Sequence, residues 1–328
     1  MPPSIILSRT PFRLPLGGGS TDLPSYYEKY GGFIFAAAIN MYMDIVIKKP
    51  LSDDHVHMQY MQYEYEPSAD RIKHTIGREA LRMMGIENKV LVSFTADTPA
   101  GTGLGSSGAC SVGLLKGLSL YKGREISNLV AAEQSFVLTQ NLGLPDGKQD
   151  PYACALGGFM VLDIGQDGQV TVRRPAIKPE TAEAFWQNTL FYYTGIRRNS
   201  KSLLDAQSHK RVLELKHRTK HIGQDILMAF ERGALDDFGR LLDEHWNIKK
   251  EISVNMTNEW LDVVYAAAKT AGALGGKIMG AGGGGYFMFY CRSEDDKQSV
   301  RRALADFGMR EMNLRIDDQG ARTTVINL

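Results

Sequence analysis

The sequence predicts an α+β protein of two domains, and three observations carry that expectation. The chain has 328 residues, longer than one hydrophobic core serves efficiently. Its 43% hydrophobic and 23% charged residues suit a chain that buries a full core. Strand-like and helix-like segments come in runs, without strict βαβ alternation. We place the boundary near residues 175 to 185, giving domains 1–178 and 179–328 with a cleft between them for a ligand.

In order, Ile5–Ser8 reads as a strand that runs into the turn LGGGST, where glycines 17 to 19 admit close backbone approach. A short polar segment leads to the apolar, β-branched strand Phe33–Ile47. Residues 54 to 65 alternate as a strand or hairpin, and a helix follows over 69 to 84. Val90–Phe94 alternates as a strand, and after the loop ADTPAGTGLGSSG an amphipathic helix carries Ala109, Val112, Leu115 and Leu118 at helical spacing. A further helix spans Ile126–Leu142, ended by Gly143 and Pro145, and Phe159–Asp163 pairs with Val170–Arg173 across IGQDGQ. After Pro179 come a strand at Thr189–Thr194 and helices near 200–232, 234–251 and 257–272. The chain closes with strand Gly276–Met279, the loop GAGGGG, strand Tyr286–Cys291, helix Asp295–Phe307 and strand Arg322–Ile326.

Composition narrows the function. A net charge of +1, with no run of five or six like charges, points away from nucleic acid and anionic membranes and toward a small-molecule partner. The basic stretch His209–His221 reads as a solvated helix face, and His217 and His221, one turn apart, lack the further ligands of a metal site. Cys110, Cys154 and Cys291 have no disulfide or zinc spacing, which fits a reducing, cytoplasmic setting. The start MPPSIILSRTPFR lacks the features of a signal peptide, and no window is long and apolar enough for a membrane span.

One segment stands out chemically. Pro99–Gly108, PAGTGLGSSG, sets four glycines and two serines immediately before a helix, where unpaired N–H groups and the positive helix end make an anion site. Ser106 and Ser107 add hydroxyls for a phosphate oxygen or magnesium; a plain loop with a helix cap is the blander reading. The stretch is neither a Walker A loop, since no lysine follows the last glycine, nor a dinucleotide fingerprint. In Pro145–Asp150, Asp150 reads either as a helix cap before Pro151 or as a general base. The five glycines of Gly280–Gly285 read either as a flexible hairpin or as a functional loop.

These segments resemble the GHMP kinases. PAGTGLGSSG is similar to the family's phosphate loop, RTPFRLPLGGGSTDLPSYY to its first motif and KIMGAGGGGYFMF to its third, in family order over nearly the whole chain. GGGSTDLP with GKQDPYA most resembles the heptose phosphate kinase group. The resemblance implies a ribosomal protein S5 domain 2-like N-terminal domain and a ferredoxin-like C-terminal domain. It also implies ATP with Mg2+, and transfer of the γ-phosphoryl group to the C1 hydroxyl of a heptose 7-phosphate.

By that resemblance Asp150 and Arg13 are catalytic, Asp150 accepting the hydroxyl proton and Arg13 neutralising charge on the transferred group. ATP falls to Pro99, Gly101, Gly103, Leu104, Gly105, Ser106, Ser107 and Gly108. The acceptor falls to Gly18, Gly19, Ser20, Asp22 and Gln149 and to the late loop at Gly282, Gly283 and Gly284, with Lys148 and Arg198 as partners for a phosphate already on it. Gly19 and Ser20 replace the Glu-His pair of galactokinases, which argues against galactose. Magnesium falls to Ser107, with Glu133 as the substitute for a carboxylate that relatives carry where this chain reads Leu138-Thr139-Gln140. A fucose or arabinose 1-kinase and a non-catalytic sugar and ATP sensor are the alternatives; retention of Asp150 and Arg13 argues against the sensor. The expected partner is a sugar or sugar phosphate, and a homodimer is compatible with this reading.

Overall fold

The computed structural model describes residues 4–196, 209–252 and 256–327. In chain order the elements are β1 (Ser4–Gly17), α1 (Pro24–Tyr30), β2 (Gly32–Lys48), β3 (Val56–Gln59), β4 (Tyr63–Glu66), α2 (Thr75–Met83), β5 (Val90–Ala96), α3 (Ser106–Tyr121), α4 (Asn128–Asn141), α5 (Gln149–Leu156), β6 (Phe159–Ile164) and β7 (Val170–Arg173). There follow α6 (Pro179–Asn188), β8 (Thr189–Tyr193), α7 (His209–Arg232), α8 (Leu235–Ile252), α9 (Glu259–Thr270), β9 (Ala273–Ile278), β10 (Tyr286–Cys291), α10 (Glu294–Leu304), β11 (Arg310–Met312) and β12 (Arg322–Asn327).

Two sheets organise the chain, as the α+β expectation requires. The larger has eight strands, with the path β12-β1-β2-β5-β3-β4 and β6 and β7 branching from β2. The long strand β2 explains the branch: Gly32–Ala37 pairs with β6 and Met43–Lys48 with β5, while β1 runs antiparallel along both parts. The smaller sheet has the order β11-β8-β10-β9. That is fourth, first, third and second in chain order, with helices between the first and second strands and between the third and fourth: the βαββαβ pattern of a ferredoxin-like domain. The last strand, β12, returns across residue 178 to the first sheet, where Ser4–Arg9 of β1 pairs with Asn327–Arg322.

Burial accounts for the strand patterns. The first half of β2 is buried on both faces: Phe33, Phe35 and Ala37 join the main core with Phe185 and Phe230, while Ile34 and Ala36 pack with Tyr152 and Met160. The second half alternates, burying Met41, Met43, Ile45 and Ile47. Helix α3 differs from the amphipathic expectation. It is buried around almost its whole circumference because β1 and β2 cover one side and α2, α4 and α5 the others. It also begins at Ser106, three residues before the predicted Ala109.

Some elements escape the sequence reading. Helix α1 has only seven residues and three tyrosines, two of them buried. Helix α6 occupies the predicted boundary, and the segment predicted as a helix over 69–84 is a short 3-10 turn, Ala69–Arg71, followed by α2. The predicted start of a helix at 200 lies outside the described residues; α7 spans His209–Arg232. The two sheets are joined by an aromatic chain: Phe35 of β2 meets Phe230 of α7 at 5.1 Å, Phe230 meets Phe238 of α8 at 5.0 Å, and Phe238 meets Tyr290 of β10 at 5.6 Å. This packing fixes the opening between the sheets.

Candidate active site

The loop from β5 to α3 opens on that cleft. Gly103 and Gly105 have φ of +86° and +80°, a region costly for any other residue, so the chain doubles back and aims the start of α3 inward. Gly105 occupies the cap position and, among the described residues, no side chain bonds the first amides of α3. Helices α4, α9 and α10, in contrast, are capped by Ser127, Asn258 and Ser293. The unpaired N–H groups and positive end of α3 are therefore left for an anion. Gly101, Gly103, Gly105, Ser106 and Ser107 line the cleft. Pro99, Leu104 and Gly108, also expected at the nucleotide, instead build the loop. The Pro99 carbonyl accepts from the Thr102 hydroxyl, Leu104 is fully buried with its carbonyl accepting from the Arg13 amide, and a Cβ on Gly108 would lie 2.8 Å from that of Asp150.

Arg13 and Asp150 meet beside this loop. Arg13, on β1, donates Nε and Nη2 to Asp150 Oδ1 at 2.8 and 2.7 Å, and Nη1 to the Gly103 carbonyl at 2.5 Å. Asp150 lies in the first turn of α5 with Lys148 at the cap position, so the cap reading of Asp150 gives way. Its side chain goes to Arg13 because the guanidinium, 6% exposed, requires a carboxylate there. Among the described residues Asp150 Oδ2 has no hydrogen-bond donor, and Asp150 lines the cleft.

The turn after β1 forms the next wall. Gly19, Ser20 and Asp22 line the cleft, while Gly18 does not; its Cβ would strike the Phe33 carbonyl. Thr21 locks the turn, its hydroxyl bonding the Gly18 and Phe33 carbonyls at 2.7 and 2.8 Å. Asp22 is buried and its Oδ2 accepts from the Gln149 amide at 2.8 Å, which ties this turn to α5. Burial, chiefly, raises the Asp22 carboxyl above its ordinary range. Gln149 lines the cleft with a buried Nε2 that has no partner among the described residues, a donor suited to a ligand oxygen.

Three expectations meet a different arrangement, and a fourth lies outside the described residues. Lys148 does not line the cleft: its ammonium, 2% exposed, donates to both oxygens of Glu133 at 2.7 and 2.8 Å and lies 4.3 Å from the centre of the Phe136 ring. Glu133 also accepts from the Tyr152 hydroxyl at 2.6 Å, so both of its oxygens are engaged away from the cleft. The late loop presents Gly280 and Ala281 to the cleft in place of Gly282, Gly283 and Gly284. Those three pack against neighbouring segments, the Gly283 amide on the Met256 carbonyl and Gly284 against Ile196. Arg198 lies outside the described residues.

Further residues enter the site that the sequence reading did not assign. Asp146 lines the cleft, and its carboxyl is pushed up to about 6 by burial and then by the charges of Asp150 and Asp22. From the second sheet side come Thr219, His245, Lys249 and Lys277. Lys249 donates to the carbonyls of Ile278, at 2.9 Å, and Gly280, pinning the start of the glycine loop. His245 is buried and held well below its ordinary pKa by burial, Lys277 and Lys249. Lys277 lies within KIMGAGGGG and Asp146 within PDGKQD, while nothing local marks His245. Among the described residues no group of three or more His, Cys, Asp or Glu is arranged to hold a metal, and no helix is long and apolar enough to cross a membrane.

Comparison with known proteins follows the same lines. The model of the GHMP kinases N terminal domain matches residues 69–158, and that of the GHMP kinases C terminal matches residues 226–308. A D-glycero-alpha-D-manno-heptose 7-phosphate kinase of Campylobacter jejuni is 29% identical over 325 residues, covering 91% of this chain and 93% of that protein. An L-fucokinase/L-fucose-1-P guanylyltransferase of Bacteroides fragilis is 25% identical over 92% of this chain, which spans only 36% of that longer protein. Among solved structures, a D-glycero-D-manno-heptose 1-phosphate kinase from Bacteroides thetaiotaomicron superposes with a TM-score of 0.80 at 25% identity, covering 97% of this chain and 98% of that one.

Proposed function

Because the chain belongs to the GHMP kinase family and is a sugar kinase of that family, we propose that it transfers the γ-phosphoryl group of MgATP to the C1 hydroxyl of D-glycero-D-manno-heptose 7-phosphate. The product would be the 1,7-bisphosphate, the form from which a nucleotide-activated heptose is made. One observation carries the chemistry: Arg13 holds a single oxygen of Asp150 and leaves the other open on the cleft beside the uncapped start of α3. A sugar hydroxyl at that oxygen would lose its proton to Asp150 as it attacks, while Arg13 neutralises charge on the phosphoryl group.

The residues present suit the nucleotide. The α3 amides and the Ser106 and Ser107 hydroxyls face the cleft where a triphosphate would end. Magnesium, which bridges phosphates and keeps several waters, needs little more from the protein than the Ser107 hydroxyl. The heptose assignment is supported by the first-motif residues GGGSTDLP, by GKQDPYA, and by two relatives whose names carry a phosphorylated heptose. A fucose-type 1-kinase is the second reading, favoured by the fucokinase similarity.

An ADP-release screen over free hexoses, heptoses and heptose 7-phosphates, with the product's phosphate located by phosphorus NMR, tests the assignment. Preference for heptose 7-phosphate and a new anomeric phosphate are expected. Equal turnover of unphosphorylated hexoses, or phosphate arriving at another carbon, would overturn it.

A further inference from the structure

Lys277 is a buried lysine that lines the cleft. It sits on β9 of the second sheet with 3% of its surface exposed, and no carboxylate pairs with it among the described residues. Its ammonium donates to the carbonyl of Leu16, near the end of β1, at 2.9 Å and stands 3.4 Å from His245 Nδ1. An ammonium has three donors, so one remains, and Lys277 lines the cleft.

The charged group that acts on it most directly is basic, while the carboxylates of the cleft are Asp22, Asp146 and the Arg13-bound Asp150. Arg13, on β1, lines the same cleft and its charge acts on Lys277, and His245 and Lys249 stand on α8, with Lys249 turned to the glycine loop. Burial, then the nearness of Arg13, pulls the Lys277 pKa down to about 7, and His245 stays neutral. A lysine left uncompensated in such a place costs stability unless an anion arrives. Arg13 touches both Asp150 and the phosphate loop, so an anion near Arg13 and Lys277 together is the group passing from that loop toward Asp150.

We propose that Lys277 is a further catalytic residue, which contacts the transferred phosphoryl group from the second sheet while Arg13 contacts it from the first. It rests on the phosphoryl-transfer reading of this cleft but not on the identity of the sugar. The β9 lysine and the β1 arginine then complete a charge clamp only when the two sheets stand in this relation, which couples the fit between the domains to the chemical step.

The test compares the native enzyme with Lys277→Met in binding magnesium ADP and the magnesium complex of the non-hydrolysable analogue AMP-PNP at pH 8. Calorimetry in two buffers of different ionisation enthalpy reads the protons exchanged. In the native enzyme the γ-phosphate should bring a net proton uptake relative to the variant, because it restores the charge on Lys277. The variant should bind ADP within about twofold of native, lose at least about tenfold in affinity for AMP-PNP, and melt no lower than native. With any sugar that is turned over, its kcat should fall at least about a hundredfold with the acceptor KM little changed.

Equal proton exchange in the two proteins overturns the proposal. So does an equal loss of ADP and AMP-PNP binding, which would make Lys277 a structural tie to Leu16, or a rise in acceptor KM alone, which would place it at the sugar. Failure of every sugar phosphate as substrate would sink the acceptor assignment, and the nucleotide measurements would still decide the part of Lys277.

Discussion

Arg13 and Asp150 are 137 residues apart in sequence, yet two guanidinium hydrogens converge on one carboxylate oxygen and the other oxygen stays open to the cleft. Orientation of this kind matters more than charge alone, since a base must present one lone pair to the hydroxyl it serves. Asp150→Asn keeps the shape and an acceptor for Arg13 but removes the basic oxygen. Turnover should fall at least about a hundredfold while calorimetric ATP-analogue binding stays near native. Unchanged turnover would remove Asp150 from the proton transfer.

Glu133 provides a second test, since its place beside Lys148 makes it a structural partner and not a metal ligand. Glu133→Gln leaves the buried Lys148 ammonium with a neutral partner. Glu133 is 47% exposed, so water compensates part of the loss, and a destabilisation of about 1 to 3 kcal/mol is expected in chemical denaturation. The folded variant should keep its magnesium dependence and kcat. A raised magnesium requirement at unchanged stability would restore the metal role.

Gly285 touches the phosphate loop. A Cβ there would lie 2.0 Å from the Thr102 carbonyl oxygen, and its φ is +90°. Neither backbone can yield cheaply, so Gly285→Ala should cost about 2 to 4 kcal/mol and raise the KM for ATP severalfold by parting the two loops. Equal stability by urea denaturation would contradict this contact.

Asp146 makes the stability depend on pH in an uncommon direction. Its carboxyl stands at about 6 against an ordinary 3.8, so the folded state holds this proton more tightly than the unfolded chain. The contribution is favourable at low pH and is lost as pH rises from 3.8 through about 6. Asp146→Asn removes the penalty at neutral pH. It should be more stable than native by about 1 kcal/mol at pH 7.5, with most of that difference gone at pH 4.5. A pH-independent difference in denaturation midpoint would show that Asp146 is not strained by its neighbours.

Much of the site is legible in short stretches because its chemistry is local. The left-handed glycines at 103 and 105 and the uncapped start of α3 follow from PAGTGLGSSG itself, and the glycine turn before Asp22 is equally self-contained. Lys148 shows where such reasoning stops. It stands two residues from Asp150, but two helical steps turn a side chain about 200° around the axis, so one faces Glu133 and the other faces Arg13. Helix α1 is illegible for another reason. Its seven residues are too few for a periodic pattern, and tertiary contacts hold it: burial of Tyr26 and Tyr27 and the bond of Tyr26 to His217 of α7.

The residue order by itself determined the α+β class, most of the strands and helices, the phosphate loop and the family, because each depends on neighbours a few positions apart. Only the tertiary structure decided that β12 returns to β1, that Gly280 and Ala281 rather than Gly282–Gly284 face the cleft, and that Lys277 and His245 belong to it. These are matters of which surfaces meet when two sheets close over a shared apolar core, and no local pattern encodes the side on which a distant lysine loses its water.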